Sequence, residues 1–183
     1  MKFQTTEIPG VFLVEAEPHA DERGFFSRLY CPEEFSAAGI DFSPVQTSLS
    51  RSVHRHTLRG MHYQDALQDE AKLVHVTRGA IYEVIVDVRR ESPMFGRWAA
   101  FDLDARSLRA VYVPEGCAHG FLTLEPETDV LYQINRMYVP GFARGYRWND
   151  PALDIRWPAE PAIISDVDRF WPDFSAHDHS GRS

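Results

Sequence analysis

Lysine is nearly missing from this chain. Lys2 and Lys72 are the only two among 183 residues, so that 17 of the 19 basic residues are arginine, and an interior Lys72 is hard to dismiss as surface filler. Basic charge is also in deficit: 27 acidic residues leave a formal net charge of −8. A nucleic-acid surface needs a net basic face to displace counterions, so that class of partner is excluded, whereas a small anion needs only a local cluster of cations. Cysteine occurs twice, at Cys31 and Cys117, far apart in the chain. The expectation is two buried free thiols, neither a nucleophile, and no disulfide. Long apolar runs are absent too. Nothing approaches the roughly 20 residues of a membrane span, and Met1 to Thr6 lacks the apolar centre of a signal peptide, which predicts a soluble, cytoplasmic protein with no membrane partner.

What is present is enough apolar mass for one core: 44% hydrophobic residues, with twelve Phe and four Trp. One domain is expected over residues 1–174, followed by a polar tail, 175–183, whose His177 and His179 read as part of a solvated end. Apolar residues alternate or run together from Lys72 to Val88, interrupted at Arg78-Gly79, which predicts a hairpin. Further short strands are expected at Trp98 to Leu103, Ala110 to Val113, Phe121 to Leu124 and Val130 to Ile134. Regular short strands without helical periods indicate an all-β antiparallel sandwich or barrel. Pro32 to Ala38 is the best helix candidate, with proline in its first turn, Glu33 and Glu34 behind it and Gly39 as a stop. Trp148 to Pro151 and Trp157-Pro158 read as irregular capping loops.

The chemistry concentrates in Leu58-Arg59-Gly60-Met61-His62-Tyr63-Gln64, in Lys72, and in Ala118-His119-Gly120-Phe121. A histidine that titrates near the working pH beside fixed cations is what proton abstraction from an anionic carbon acid requires. A lone histidine is more often structural, and the same holds for Tyr132, which period-two alternation puts on one face with Val130 and Ile134. Arg23 and Arg59 each stand beside glycine, which lets a guanidinium fork approach phosphate closely; each is as readily a salt-bridged surface arginine. A metal reading has some support, because Pro114-x-Gly116-x-x-His119 fits the turn by which many cupins present a ligand, with His54 and His56 as partners. The glutamate expected a few residues after such a pair is missing from Thr57 to Met61, and with it the hard carboxylate ligand.

Taken together, Asp21-x-Arg23-Gly24-x-Phe26, the Leu58 to Gln64 block, Lys72, Ser92-Pro93-x-Phe95-Gly96-x-Trp98, Pro114-Glu115-Gly116-x-Ala118-His119-Gly120-Phe121, Tyr132 and Ser165-x-x-Asp168 resemble the dTDP-4-dehydrorhamnose 3,5-epimerase family in order and spacing. The resemblance covers about nine-tenths of the chain. It implies a cupin-type antiparallel jelly roll with short peripheral helices, a homodimer, no metal and no redox cofactor. The substrate it implies is a dTDP-linked 4-keto-6-deoxy sugar, epimerised at C-3, C-5 or both. By the same resemblance His62 is the base and Asp168 the carboxylate that orients it. Lys72 is the cation at the C-4 oxygen and Tyr132 the acid on the opposite face. Arg23, Phe26, Gln46, Ser48, Arg59, His119 and Tyr138 bind substrate, with Arg23 and Arg59 on pyrophosphate and Tyr138 stacked on the base.

The chain departs from the family pattern in two places. Ser48 stands where Asn is common, and Val167 where Lys or Arg is common, with Arg169 nearby as a substitute cation. Two other readings are a metal-free keto-isomerase of the same fold and a sugar-binding cupin without activity; the latter has no reason to keep His62, Asp168 and Tyr132 together.

Overall fold

A computed structural model describes residues 1–65 and 67–174; the polar tail expected at 175–183 lies outside the described residues. In chain order the strands begin with β1 (Lys2–Thr5), β2 (Phe12–Glu15) and a small hairpin, β3 (His19–Asp21) with β4 (Gly24–Phe26). After helix α1 (Pro32–Ala37) come β5 (Gln46–Ser52), β6 (Thr57–Gln64), β7 (Lys72–Arg78), β8 (Ala80–Asp87), β9 (Trp98–Asp104), β10 (Arg109–Val113), β11 (Cys117–Thr123) and β12 (Thr128–Ile134). Two short strands, β13 (Ala143–Gly145) and β14 (Ile163–Ile164), and a single helical turn, α2 (Asp166–Arg169), complete it. Among the described residues no helix is long and apolar enough to cross a membrane.

Two sheets face each other, in the strand orders β1-β2-β10-β7-β12-β5 and β13-β6-β11-β8-β9; β14 pairs parallel with β6, and every other pairing is antiparallel. This is the jelly-roll arrangement expected. The hairpin expected over Lys72 to Val88 is not formed. Strand β7 pairs with β10 and β12 in the first sheet, whereas β8 pairs with β11 and β9 in the second, so the chain turns a corner between sheets at Gly79. Gly79 has φ of 79°, and the Thr128 side chain fills the space a Cβ would need, so the corner requires glycine. Alternation locates the inward side chains of a strand but not the sheet to which it belongs.

The inward residues form the main core, where Val74, Val76, Val111 and Val130 of the first sheet meet Ile81, Ile85, Leu103 and Phe121 of the second. Helix α1 lies outside the first sheet, where Phe35 packs with Phe42, Tyr112 and Val14. It starts with proline, which has no N–H to satisfy, and ends before Gly39 at φ of 78°. The outer face of the second sheet is covered by the loops after β13, through Tyr146, Leu153, Ile155, Trp157 and Phe174. Trp98 Nε1 donates to the Leu153 carbonyl at 3.0 Å and Trp157 Nε1 to that of Trp148 at 2.9 Å, which fixes these irregular segments.

Candidate active site

The core is apolar at one end of the two sheets and becomes polar at the other, where a cavity of about 420 Å³ opens. It is lined from the first sheet and its approach by Ser50, Glu70, Lys72 and Tyr132, and from the second by Arg59, His62 and His119, with Trp171 beyond α2.

Local backbone chemistry explains how two histidines come to face each other here. In β6 and β11 His62 lies opposite His119, and the register shifts before Phe121, which lies opposite Arg59. At the shift the strands approach so closely that a Cβ on Gly60 would sit 2.5 Å from the Gly120 Cα, and one on Gly120 would sit 2.8 Å from the Met61 sulfur. The glycines of the two motifs are therefore packing requirements, and they allow the bulge that aims the histidines.

His62 Nε2 lies 2.6 Å from Asp168 Oδ1. Asp168 also accepts from Trp171 Nε1 at 3.3 Å and, through Oδ2, from the Gly60 N–H at 3.4 Å. The α2 turn presents this carboxylate because Ser165 caps it, its hydroxyl accepting the Asp168 N–H at 3.1 Å. Burial pushes the Asp168 carboxyl up, but the hydrogen bond and charge of His62, with the Gly60 and Trp171 donors, outweigh it and hold the group below its usual range. An ionised Asp168 accepts the Nε2 proton, which leaves Nδ1 as the basic nitrogen of His62.

Opposite, on the first sheet, burial and the nearby Glu83 carboxyl push the Tyr132 phenol far above its ordinary range, so it carries its proton. Its ring meets His119 edge-on at 6.0 Å. His119 is buried, with Nδ1 at 2.8 Å from Glu83 Oε1. Burial, together with the Lys72 and His62 charges, lowers the His119 value well below normal, and burial raises that of Glu83 well above normal. Lys72 Nζ lies 2.6 Å from Glu70 Oε1, both nearly buried.

The other expected binding residues fall into three groups, and of these residues only Arg59 lines the cavity among the described residues. Arg59 is at the cavity, its guanidinium steadied by the Ser52 hydroxyl and the Arg51 carbonyl. Gln46 and Ser48 lie on the edge strand β5, paired with Ile134 and Tyr132, and Gln46 Oε1 accepts the Tyr138 N–H at 3.0 Å, next to an exposed Tyr138 ring. Arg23 and Phe26 are not brought to the cavity. They sit on the β3–β4 hairpin, off both sheets; the Arg23 side chain is 85% exposed and among the described residues pairs only with Asp21, and Phe26 is 72% exposed.

Glu70, Glu83, Arg144 and Trp171 are at or behind the cavity and had not been anticipated. Glu83 could have been found, since it is an acid at the inward parity of Ile81 and Ile85 in an apolar run. Cys31 and Cys117 are both free thiols, and burial pushes the Cys117 thiol up to about 12. Among the described residues no group of three or more His, Cys, Asp or Glu is arranged to hold a metal ion.

Comparison with known proteins shows what the whole chain resembles. The family model described as dTDP-4-dehydrorhamnose 3,5-epimerase matches residues 5–176. A Pseudomonas aeruginosa dTDP-4-dehydrorhamnose 3,5-epimerase is 42% identical over 171 residues, which cover 92% of this chain and 93% of the relative. The crystal structure of the Bacillus anthracis enzyme of that name, with TDP and PPi bound, superposes with a TM-score of 0.92 at 39% identity, covering 94% of this chain and 99% of the other. A Legionella pneumophila dTDP-6-deoxy-D-glucose-3,5-epimerase in complex with dTDP-4-keto-L-rhamnose superposes with a TM-score of 0.86 at 32% identity, over 95% and 98% of the two chains.

Proposed function

The chain belongs to the dTDP-4-dehydrorhamnose 3,5-epimerase family, and from that membership and the cavity we propose which of its residues perform the epimerisation. The enzyme is an isomerase acting on a dTDP-linked 4-keto-6-deoxy sugar, converting dTDP-4-dehydro-6-deoxy-D-glucose to dTDP-4-dehydro-L-rhamnose. The observation that carries the residue roles is that a His–Asp pair on one sheet and a buried, protonated tyrosine on the other line the same cavity.

The C-4 ketone acidifies the hydrogens on C-3 and C-5. His62 Nδ1 takes one of them as general base, and Asp168 stabilises the imidazolium that forms. The electron pair moves onto the C-4 oxygen, where the Lys72 ammonium and the His119 ring meet the developing charge; their contribution grows as the enolate forms. Tyr132 then delivers a proton to the opposite face of the carbon. Inversion needs two groups, because a proton returned from the His62 side restores the starting configuration. The substrate is neither oxidised nor reduced, so no redox cofactor enters the cycle.

Arg59 binds the pyrophosphate, and Tyr138, held by Gln46, stacks on the base. Arg23 and Phe26 come from a second copy of the chain: their hairpin projects from its own subunit with an exposed guanidinium and an exposed ring, and in a homodimer it completes the partner's nucleotide site. Free cysteines suit a cytoplasmic location.

The test is solvent exchange. Wild-type enzyme with dTDP-4-keto-6-deoxyglucose in deuterated water incorporates deuterium at C-3 and C-5, read by NMR, and His62→Ala incorporates none at either carbon. Undiminished exchange in the variant would falsify the assignment of the base.

A further inference from the structure

Among the described residues that line the cavity, Glu70 is the one carboxylate, in a site built to receive a pyrophosphate and to generate an enolate. Both charges repel it, so its presence needs a reason. Its Oε1 is 2.6 Å from Lys72 Nζ, and the two side chains are 8% and 9% exposed. An ammonium removed this far from water keeps its proton only beside a counter-charge. Glu83, the buried acid on β8, does not supply one: its Oε1 is engaged by His119, its Oε2 has no hydrogen-bond partner among the described residues, and burial drives it toward the neutral form.

We infer that Glu70 is a positioning residue for this reaction, its carboxylate holding the Lys72 ammonium charged and fixed at the place where the ketone oxygen of the sugar binds. The inference rests on the role given to Lys72 above. In the resting site the pair is neutral overall, which suits a neutral ketone. When the C-4 oxygen takes up charge, Lys72 is already protonated, oriented and poor in water, so little reorganisation is left for the transition state. Glu70 precedes Lys72 by two residues in the segment that leads into β7, and both side chains line the same cavity. The groups surrounding Lys72 are Asp69 in the same segment, Glu83 on β8, His119 on β11, His62 on β6 and Tyr132 on β12. Among the described residues only Glu70 is within ion-pair distance.

The near absence of lysine makes the charge of Lys72 directly readable. Protein labelled with ¹³C at the lysine ε carbon carries two lysines, Lys2 and Lys72, and Lys72→Arg assigns the signals. In Glu70→Gln the pH at which the Lys72 signal moves falls by about one unit or more, and the alkaline limb of the kcat profile falls with it while KM changes little. Glu70→Asp keeps the charge but withdraws it by one methylene; it gives an intermediate shift and carries the test if Glu70→Gln does not fold by circular dichroism. A Lys72 signal that titrates in the folded variants as it does in wild type overturns the inference. The NMR titration needs no substrate, so it decides the pairing even if the assignment of Lys72 to the enolate oxygen fails. In that case the two titrations move while the kcat profile does not, and Glu70 loses its place in the reaction.

Discussion

Replacing Tyr132 by phenylalanine separates proton removal from proton return. The change deletes one hydroxyl and keeps the ring that meets His119 edge-on at 6.0 Å, so packing around the cavity is preserved and stability should change by no more than about 1 kcal/mol. On the opposite sheet the His62–Asp168 hydrogen bond of 2.6 Å is untouched, as is the Lys72–Glu70 pair, so the enolate still forms. What disappears is the hydroxyl proposed as the general acid. Such a group contributes about 10²- to 10⁴-fold, or about 2.7–5.4 kcal/mol in the barrier to inversion. Exchange from the His62 face should fall by less than about tenfold, because that step uses none of the missing atoms. The assay follows both quantities in one tube: ¹H NMR in deuterated water reads loss of the C-3 and C-5 signals from recovered substrate, and the appearance of inverted product. Label should enter with retention while little product forms. A variant that inverts like wild type, or one that loses exchange as fully as His62→Ala, refutes the two-face mechanism and returns Tyr132 to a packing role.

Asp168→Asn should lower both exchange and inversion by about 10- to 150-fold, the loss of a charge-assisted hydrogen bond of about 1.5–3 kcal/mol to the imidazolium; a wild-type rate would remove Asp168 from the dyad. The same variant has a pH signature in stability. The Asp168 carboxyl titrates below its ordinary value of 3.8, so the pair stabilises the fold fully above that value and loses this contribution as pH falls through the lower folded value; denaturation curves of wild type and variant should differ at neutral pH and approach each other only as pH falls below about 4. Mixing Arg23→Ala chains with His62→Ala chains tests the shared nucleotide site. In the proposed dimer each homodimer would lack one component in both sites, but a mixed dimer would hold one complete site, so activity should recover to about a quarter of wild type after subunit exchange. No recovery would mean that Arg23 serves its own subunit.

The parts of this enzyme that were readable from sequence are those where one residue type has one physical purpose. Gly60 and Gly120 had to be glycine for two strands to touch, and His62, Lys72 and His119 were findable because they flank those positions or interrupt an apolar run. Strand β5 was not readable: Gln-Thr-Ser-Leu-Ser-Arg-Ser is mostly polar because it is an edge strand, exposed on much of its length and facing the cavity through Ser50. The single turn of α2 is too short for a helical period, and its Ser165 cap becomes meaningful only when Asp168 is seen against His62.

The corner at Gly79 shows the deeper limit. Strands β7 and β8 are adjacent in sequence and alternate in the same way, and either a hairpin or a crossing between sheets would bury Val74, Val76, Ile81 and Ile85. What separates the two outcomes is the long-range pairing of β7 with β10 and β12 and of β8 with β11, over 30 (Asp87 to Cys117) to 62 (Lys72 to Ile134) residues of chain, which no local pattern encodes. The crossing is also what creates the site. Because consecutive strands enter opposite sheets, Lys72 at the start of β7 and Glu83 on β8 approach the same cavity from opposite walls, with Glu70 and His119 as their respective partners. Had β7 and β8 formed the hairpin, Lys72 and Glu83 would share one sheet, and the cavity would lack the cation on the wall facing His62. The topology thus fixes the charge pattern on which enolate chemistry depends.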